Sequence, residues 1–231
     1  MTNNFPDIAV DVVLFSYFEK SLNVLLIKRN IEPFKNKYAL PGVLLKENET
    51  ADQAAIRTLN NEANIDIDYL EQLYTFSSIN RDPRKRIISI TYFGLIDQTK
   101  HDVFSDENAD DIRWWNVSHF HQIFGEGNMA FDHYDIINYA IKRLRTKIQY
   151  EPIGIDLLPD YFTIGEMYTM YTTILDKTFD RRNFSRKVLS YGLIKKTNFK
   201  SSGRVGRKGQ LYEFDDEKYN TLKKSGLYFE I

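Results

Sequence analysis

The stretch from Pro41 to Ile65, PGVLLKENETADQAAIRTLNNEANI, constrains the fold more than any other part of this chain. A Pro-Gly pair inside an apolar run forces a sharp bend and exposes backbone instead of continuing a central strand. Thr50 then supplies an N-cap, Gln53 completes a capping box, and Asp52 lies in the first turn, where the helix dipole favours an anion. The helix predicted from there runs to about Ala63, with Ala54, Ala55 and Leu59 facing inward. Thr58, Asn61 and Glu62 share another face of it. Such a helix is amphipathic, so other segments must supply the core that it covers.

The first half of the chain supplies strands. Ile8 to Phe18 and Asn23 to Lys28, rich in branched and aromatic residues, are separated by the polar break Glu19 to Leu22, the pattern of an antiparallel hairpin. Tyr38 to Leu45 is a short strand interrupted at Pro41-Gly42, and Tyr69 to Ile79, Arg86 to Ile96 and Asp111 to Val117 are further strands. The spacing of Ile136, Ile137, Ala140, Ile141 and Leu144 predicts a helix over 132–148, closing a first domain of residues 1–150. Trp114 and Trp115 are adjacent in a strand, so they point to opposite faces and at least one belongs to the core. His119 and His121 are expected as surface or core residues, not metal ligands.

The prolines and glycine of EPIGIDLLP mark 151–159 as a linker, with a second domain over 160–231. Thr163 caps a helix through Leu175 whose buried stripe is Ile164, Met167, Tyr168, Tyr171 and Leu175. Asp180 opens another helix, Arg181 to Tyr191, which Gly192 ends as C-cap; Phe184, Val188 and Leu189 should pack it on its predecessor. Leu193 to Lys196 and Gln210 to Phe214 pair as strands across the Gly-rich loop from Lys200 to Gly209. Helix, helix and two strands with a basic tip describe a winged helix-turn-helix.

Charge separates the halves. The net charge is -1, yet from Asp176 to Lys208 eleven Lys and Arg stand against two acids, leaving about ten net negative charges on the remainder. That asymmetry points to a polyanion-binding module joined to something else. Arg181, Arg182, Asn183, Arg186 and Lys187 on the helix are side chains that read base edges and hold phosphates, and Arg204, Arg207 and Lys208 are the wing's candidates. A solvated basic face, an RNA or a protein partner are the other readings of this charge run. With no cysteine the chain has neither disulfides nor thiolate metal sites. Its apolar runs fall short of the roughly 20 residues that span a bilayer, so a soluble, cytoplasmic protein is expected.

The positions of Glu49, Arg57, Leu59, Glu62 and Ile65 resemble the Nudix box, G-x5-E-x7-R-E-U-x-E-E-x-G-U with U apolar. The departures are Val43 for the opening glycine, Thr58 for the acid after the arginine, Asn61 for the first paired acid and Asn64 for the final glycine. Strand order extends the resemblance over about residues 5–148. It implies an α+β protein: a Nudix-like α/β/α sandwich with a mixed sheet, followed by a C-terminal winged helix-turn-helix domain. With EPIGIDLLPDYFTIGEMYTMY, DKTFDRRNFSRKVL and NRDPRKRIISITY, the whole chain is similar to the Nudix-related transcriptional regulators. Their Nudix-like domain senses a metabolite and their winged helix binds double-stranded operator DNA as a homodimer; members include a repressor of NAD metabolism and an arabinose-responsive regulator. The resemblance implies a ligand-responsive regulator whose small-molecule effector is a nucleotide or sugar metabolite, ADP-ribose-like or sugar-like.

A Nudix hydrolase brings several carboxylates to one helix face so that they hold Mg²⁺ against a diphosphate and help to activate water. Here that face keeps only Glu62, and Thr58 and Asn61 are neutral. No catalytic residue, metal ligand or cofactor is therefore expected, and Glu49, Arg57 and Leu59 become the structural frame of the box. Effector contacts are expected at Gly42, Val43 and Glu62, and at Arg81, Arg84 and Arg86 of the polar loop that follows Ile79. Two other readings stand beside this one. One is a Nudix hydrolase of ADP-ribose type with an atypical box, and the other is a non-catalytic scaffold whose basic module binds protein.

Overall fold

The structure, a computed structural model, describes residues 5–65, 67, 69–101, 109–125, 127–201, 209–226 and 229–231; the side chains of Glu62, Ala109 and Asp110 also lie outside the description. The chain divides into two compact units, Met1–Phe18 with Leu22–Arg143, and Glu19–Ser21 with Leu144–Ile231.

In the first unit, β1 (Asp7–Phe18) and β2 (Ser21–Arg29) are neighbours joined through Glu19 and Lys20, whose φ angles of 48° and 62° make the tight turn. The bend at Leu40-Pro41 splits the next stretch into β3 (Tyr38–Ala39), which pairs with β2, and β4 (Gly42–Leu44), which pairs with β1. After α1 (Ala51–Ala63) come β5 (Tyr69–Phe76), β6 (Ile87–Ile96), β7 (Ala109–Asn116), the short α2 (Phe120–Ile123) and α3 (His133–Lys147). Strand order is β3-β2-β1-β6-β5, with β4 on β1 and β7 on β2. β1 runs parallel to β6 and antiparallel to β4, so the sheet is mixed, as the resemblance implies.

Period-two alternation along β1 explains the layers. Val10, Val12 and Leu14 cluster with Ala54, Ala55 and Leu59 of α1, all fully buried. Asp11, Val13 and Phe15 point the other way, and there Asp11 meets His133 at the start of α3. The α1 capping box forms as predicted: the Thr50 N–H donates to Gln53 Oε1 at 2.8 Å and the Gln53 N–H to Thr50 Oγ1 at 3.2 Å. At its far end Asn64, at φ 53°, takes the left-handed cap, which asparagine tolerates next best to glycine. Thr58 departs from the expected shared face: it is fully buried and its hydroxyl donates to Ala54 O at 2.8 Å, while Asn61 is exposed. Both tryptophans are half-buried, Trp114 against the α1 core and Trp115 edge-on to Tyr38 and Phe124.

In the second unit, α4 (Ile164–Leu175) starts from a capping box between Thr163 and Glu166 and buries Met167, Met170, Tyr171, Ile174 and Leu175. Ile164 and Tyr168, expected in that stripe, are only half-buried. Tyr168 keeps its polar tip at the rim, where the hydroxyl donates to Phe179 O at 2.8 Å. In α5 (Arg181–Tyr191), Asp180 Oδ1 accepts the Asn183 N–H at 2.7 Å and Gly192 closes the helix at φ 63°. Phe184 and Val188 are buried, but Leu189 is 44% exposed, correcting its expected packing role. Five residues beyond Phe184 it lies about 140° further round the helix. β8 (Ile194–Lys200) and β9 (Gln210–Phe214) pair antiparallel, and an unforeseen α6 (Asp216–Ser225) follows. Within the expected linker a 3₁₀ helix over Ile153–Leu157 buries Ile153, Gly154 and Leu157. A Cβ on Gly154 would lie 2.7 Å from Ile148 Cδ1 and 2.9 Å from Met170 Cε, so this glycine permits close approach and does not act as a flexible spacer.

Candidate functional site

A cavity of about 430 Å³ opens in the first unit beside the Pro41-Gly42 bend. Its floor is a buried polar network. Arg81, 6% exposed, donates from Nε and Nη2 to the two carboxylate oxygens of Asp132 at 3.0 and 2.8 Å, and from Nη2 to Asp11 Oδ2 at 3.3 Å. Asp11 Oδ2 also accepts Ser89 Oγ at 2.5 Å, and Ser89 lies 3.1 Å from the Thr91 hydroxyl. Burial opposes the charge on Arg81, yet its bonds to Asp132 and Asp11 outweigh that and hold its pKa above the ordinary value. Nearby, the Leu40 N–H donates to His133 Nδ1 at 2.9 Å. Burial pushes the His133 pKa below the usual imidazole value against the pull of Asp11 and Asp132, so the ring is neutral and its proton sits on Nε2. Gly42 is required here by proximity: a Cβ on it would stand 2.2 Å from Asp11 Oδ1.

The rim is arginine-rich. Arg84 is held by Asp82, at 3.0 Å from Nε and 2.7 Å from Nη2, and its guanidinium lies 5.5 Å from the Phe131 ring centroid, with that of Arg29 at 5.0 Å. Arg57 clasps Glu49 through Nε–Oε2 at 2.9 Å and Nη2–Oε1 at 2.5 Å, and Nη2 also donates to Leu44 O at 3.1 Å. This clasp with Arg57 is the main cause holding the Glu49 pKa at about 2. Among the described residues four arginines (29, 57, 81 and 84) and two acids (Asp11 and Asp82) line the cavity, a balance suited to an anionic ligand that also carries neutral polar groups.

Of the residues expected at this site, Gly42, Val43, Arg81 and Arg84 come together on the cavity wall, and so does Arg57 of the frame. Arg81 is committed to its two aspartates, whereas Arg84 is nearly half exposed. Arg86 does not join the lining; its two Nη atoms donate to Ser78 O and Ser77 O, each at 2.8 Å. The backbone of Glu62 is in α1, and its side chain lies outside the described residues. Sequence reasoning missed Asp11, Asp82, Phe131 and His133. The signal for Asp11 was a lone acid inside the apolar run IAVDVVLF. Among the described residues no cluster of His, Asp and Glu could hold a metal ion.

In the second unit, α5 presents Arg181, Arg182, Asn183 and Arg186 as exposed side chains. Arg186 Nη2 donates to Asn183 Oδ1 at 2.8 Å, Arg181 lies 5.8 Å over the Tyr168 ring, and the half-buried Lys187 pairs with Glu230 at 3.4 Å. On β8, Lys196 and Lys200 are exposed while Lys195 is tied to Asp215 at 3.0 Å. Arg204, Arg207 and Lys208 of the expected wing lie outside the described residues.

Comparison with known proteins gives both units counterparts. The NUDIX domain family model matches residues 6–138 and the NrtR DNA-binding winged helix domain model residues 154–214. The chain is 31% identical over 218 residues to the ADPR responsive transcriptional repressor NtrR of Acinetobacter baylyi, covering 93% of this chain and 84% of that protein. The chain belongs to the Nudix-related transcriptional regulator family. Its fold agrees with the crystal structure of Shewanella oneidensis NrtR complexed with a 27mer DNA, at TM-score 0.81 and 29% identity, covering 92% of this chain and 95% of that one. The first domain is also 31% identical over 132 residues to the ADP-ribose pyrophosphatase of Methanocaldococcus jannaschii, 57% of this chain and 71% of that enzyme. Within the regulator family, then, the fold read from the box and the basic module is the observed one, and no helix among the described residues is long and apolar enough to cross a membrane.

Proposed function

We propose that this regulator is an ADP-ribose-responsive transcriptional repressor, a cytoplasmic homodimer that lays α5 in the major groove of its operator and binds its effector in the arginine-lined cavity. The observation that carries the reading is the pairing, in one chain, of that cavity with an exposed face of Arg181, Arg182, Asn183 and Arg186. The names of the A. baylyi and S. oneidensis relatives support the effector and the DNA. Arg182 and Arg186 read base edges, and Lys187, Arg204, Arg207 and Lys208 hold phosphates. Effector binding shifts the balance between conformations of different operator affinity.

Fluorescence anisotropy with duplexes from upstream of the protein's own gene tests this. Binding that weakens steeply with salt, changes at least about fivefold with ADP-ribose and is lost in Arg182→Ala and Arg186→Ala is expected. Salt-insensitive or absent binding refutes it. The likeness to an ADP-ribose pyrophosphatase favours a second reading, hydrolysis of the same ligand. Thr58, buried and bonded to its own helix, and the neutral Asn61 stand against it. Incubation with ADP-ribose and Mg²⁺ or Mn²⁺ is expected to release no AMP; release that Glu62→Gln abolishes would establish the hydrolase.

A further inference from the structure

Two polar atoms beside the cavity face each other without a hydrogen bond. Asp11 commits Oδ2 to Ser89 Oγ at 2.5 Å and to Arg81 Nη2 at 3.3 Å, whereas Oδ1 accepts no side-chain hydrogen bond among the described residues. His133 commits Nδ1 to the Leu40 N–H, and its protonated Nε2 stands 3.7 Å from Asp11 Oδ1, beyond hydrogen-bond reach. Both residues line the cavity, at 6% and 4% exposure. Neither atom is among those sealed from solvent without a partner, so both are open to the cavity, where a ligand can take the place of water.

A hydroxyl completes both. It donates its proton to the carboxylate and accepts the imidazole N–H, and an oxygen about 2.8 Å from each atom fits across that gap. A phosphate does not fit: the open acceptor is itself a carboxylate oxygen, which an ionised phosphate oxygen has no proton to satisfy. Phosphates belong instead with Arg57 and Arg84 at the rim. We propose that Asp11 and His133 form a hydroxyl-recognising subsite that takes the terminal ribose of ADP-ribose and makes it the discriminating part of the effector. The assignment rests on the ADP-ribose reading above, and the terminal sugar follows from chemistry: ADP-ribose carries hydroxyls on a ring that ADP lacks, where ADP ends in a free, more highly charged phosphate that a carboxylate repels.

Titration calorimetry with ADP-ribose and with ADP, on the full chain and two variants, tests the subsite. Asp11→Asn keeps a carbonyl oxygen for Ser89 and Arg81 but replaces the open acceptor by a donor. His133→Asn sets an oxygen where Nδ1 accepts the Leu40 N–H and removes the Nε2 donor. Each variant is expected to lose at least tenfold in affinity for ADP-ribose and less than twofold for ADP. Equal losses for both ligands in whichever variant folds overturn the subsite and leave a structural role. If the wild type binds ADP-ribose no better than ADP, the subsite falls while binding stands; if it binds neither, the effector reading falls with it.

Discussion

Replacing Gly42 by alanine tests the buried network with a single methyl. The new Cβ would lie 2.2 Å from Asp11 Oδ1, 3.3 Å from Asp11 Cγ and 3.2 Å from Val10 O. None of these is the loose end of a flexible side chain, because Asp11 is fixed by Ser89 and Arg81, and Val10 O is backbone of a central strand. Relief requires moving Asp11, which weakens hydrogen bonds to charged groups worth about 1.5–3 kcal/mol each, or shifting β4 off its register with β1, an overpacking cost of about 1–3 kcal/mol. The lower unfolded-state entropy of alanine returns only about 0.4–1 kcal/mol. A net loss of about 3 kcal/mol is expected, which at about 2–4 °C per kcal/mol lowers the melting temperature by roughly 6–12 °C. The two tryptophans, Trp114 and Trp115, are both on β7, so their fluorescence follows the first unit alone and sidesteps the problem of two units unfolding separately. In an Asp11→Ala background most of the colliding atoms are gone, and the cost of Gly42→Ala should shrink by more than half. A loss under about 1 kcal/mol, or an equal loss in both backgrounds, would refute the packing argument.

Three other outcomes follow from single groups. Tyr171 is fully buried and its hydroxyl has no hydrogen-bond partner among the described residues, so Tyr171→Phe should stabilise the second unit by about 1 kcal/mol in a circular-dichroism melt; destabilisation would reveal a partner. The Glu49 carboxyl, held at about 2 against an ordinary 4.5, adds stability that is complete above pH 4.5 and fades as pH falls towards 2. Glu49→Gln should therefore be less stable than wild type at pH 7 and converge with it near pH 2, and a gap that does not change with pH would count against the ion pair. Arg182→Ala should weaken operator binding about tenfold or more, with a flatter salt slope if its contact is to phosphate and an unchanged slope with relaxed sequence preference if it is to a base.

What the sequence disclosed was local. The caps at Thr50, Thr163, Asp180 and Gly192 act within a turn or so of the chain, and all form as expected. α6 escaped because it buries no side chain and so prints no periodicity, although Asp215 caps it by accepting the Lys218 N–H at 3.1 Å. The floor of the cavity escaped for the opposite reason: its bonds join Leu40 to His133, Arg81 to Asp132 and Arg81 to Asp11 across separations of 93, 51 and 70 residues, which only the parallel pairing of β1 with β6 and the placement of α3 bring together. Arg81 was legible as a cation in a polar loop, but not as a buried one shared by two aspartates.

The frame of the box and its missing acids therefore answer different demands. Glu49 already accepts Arg57 Nε on Oε2, and Arg57 Nη2 and the Lys46 N–H on Oε1, so any metal ion would have to displace a guanidinium from a carboxyl held near pKa 2. Thr58 turns its hydroxyl back onto its own helix and offers the cavity no ligand. The loop before α1 is tied to that helix by side-chain bonds that need no ion. A cavity kept in shape in this way offers the proposed sensor an arginine rim for a diphosphate and, at Asp11 and His133, a place for a hydroxyl.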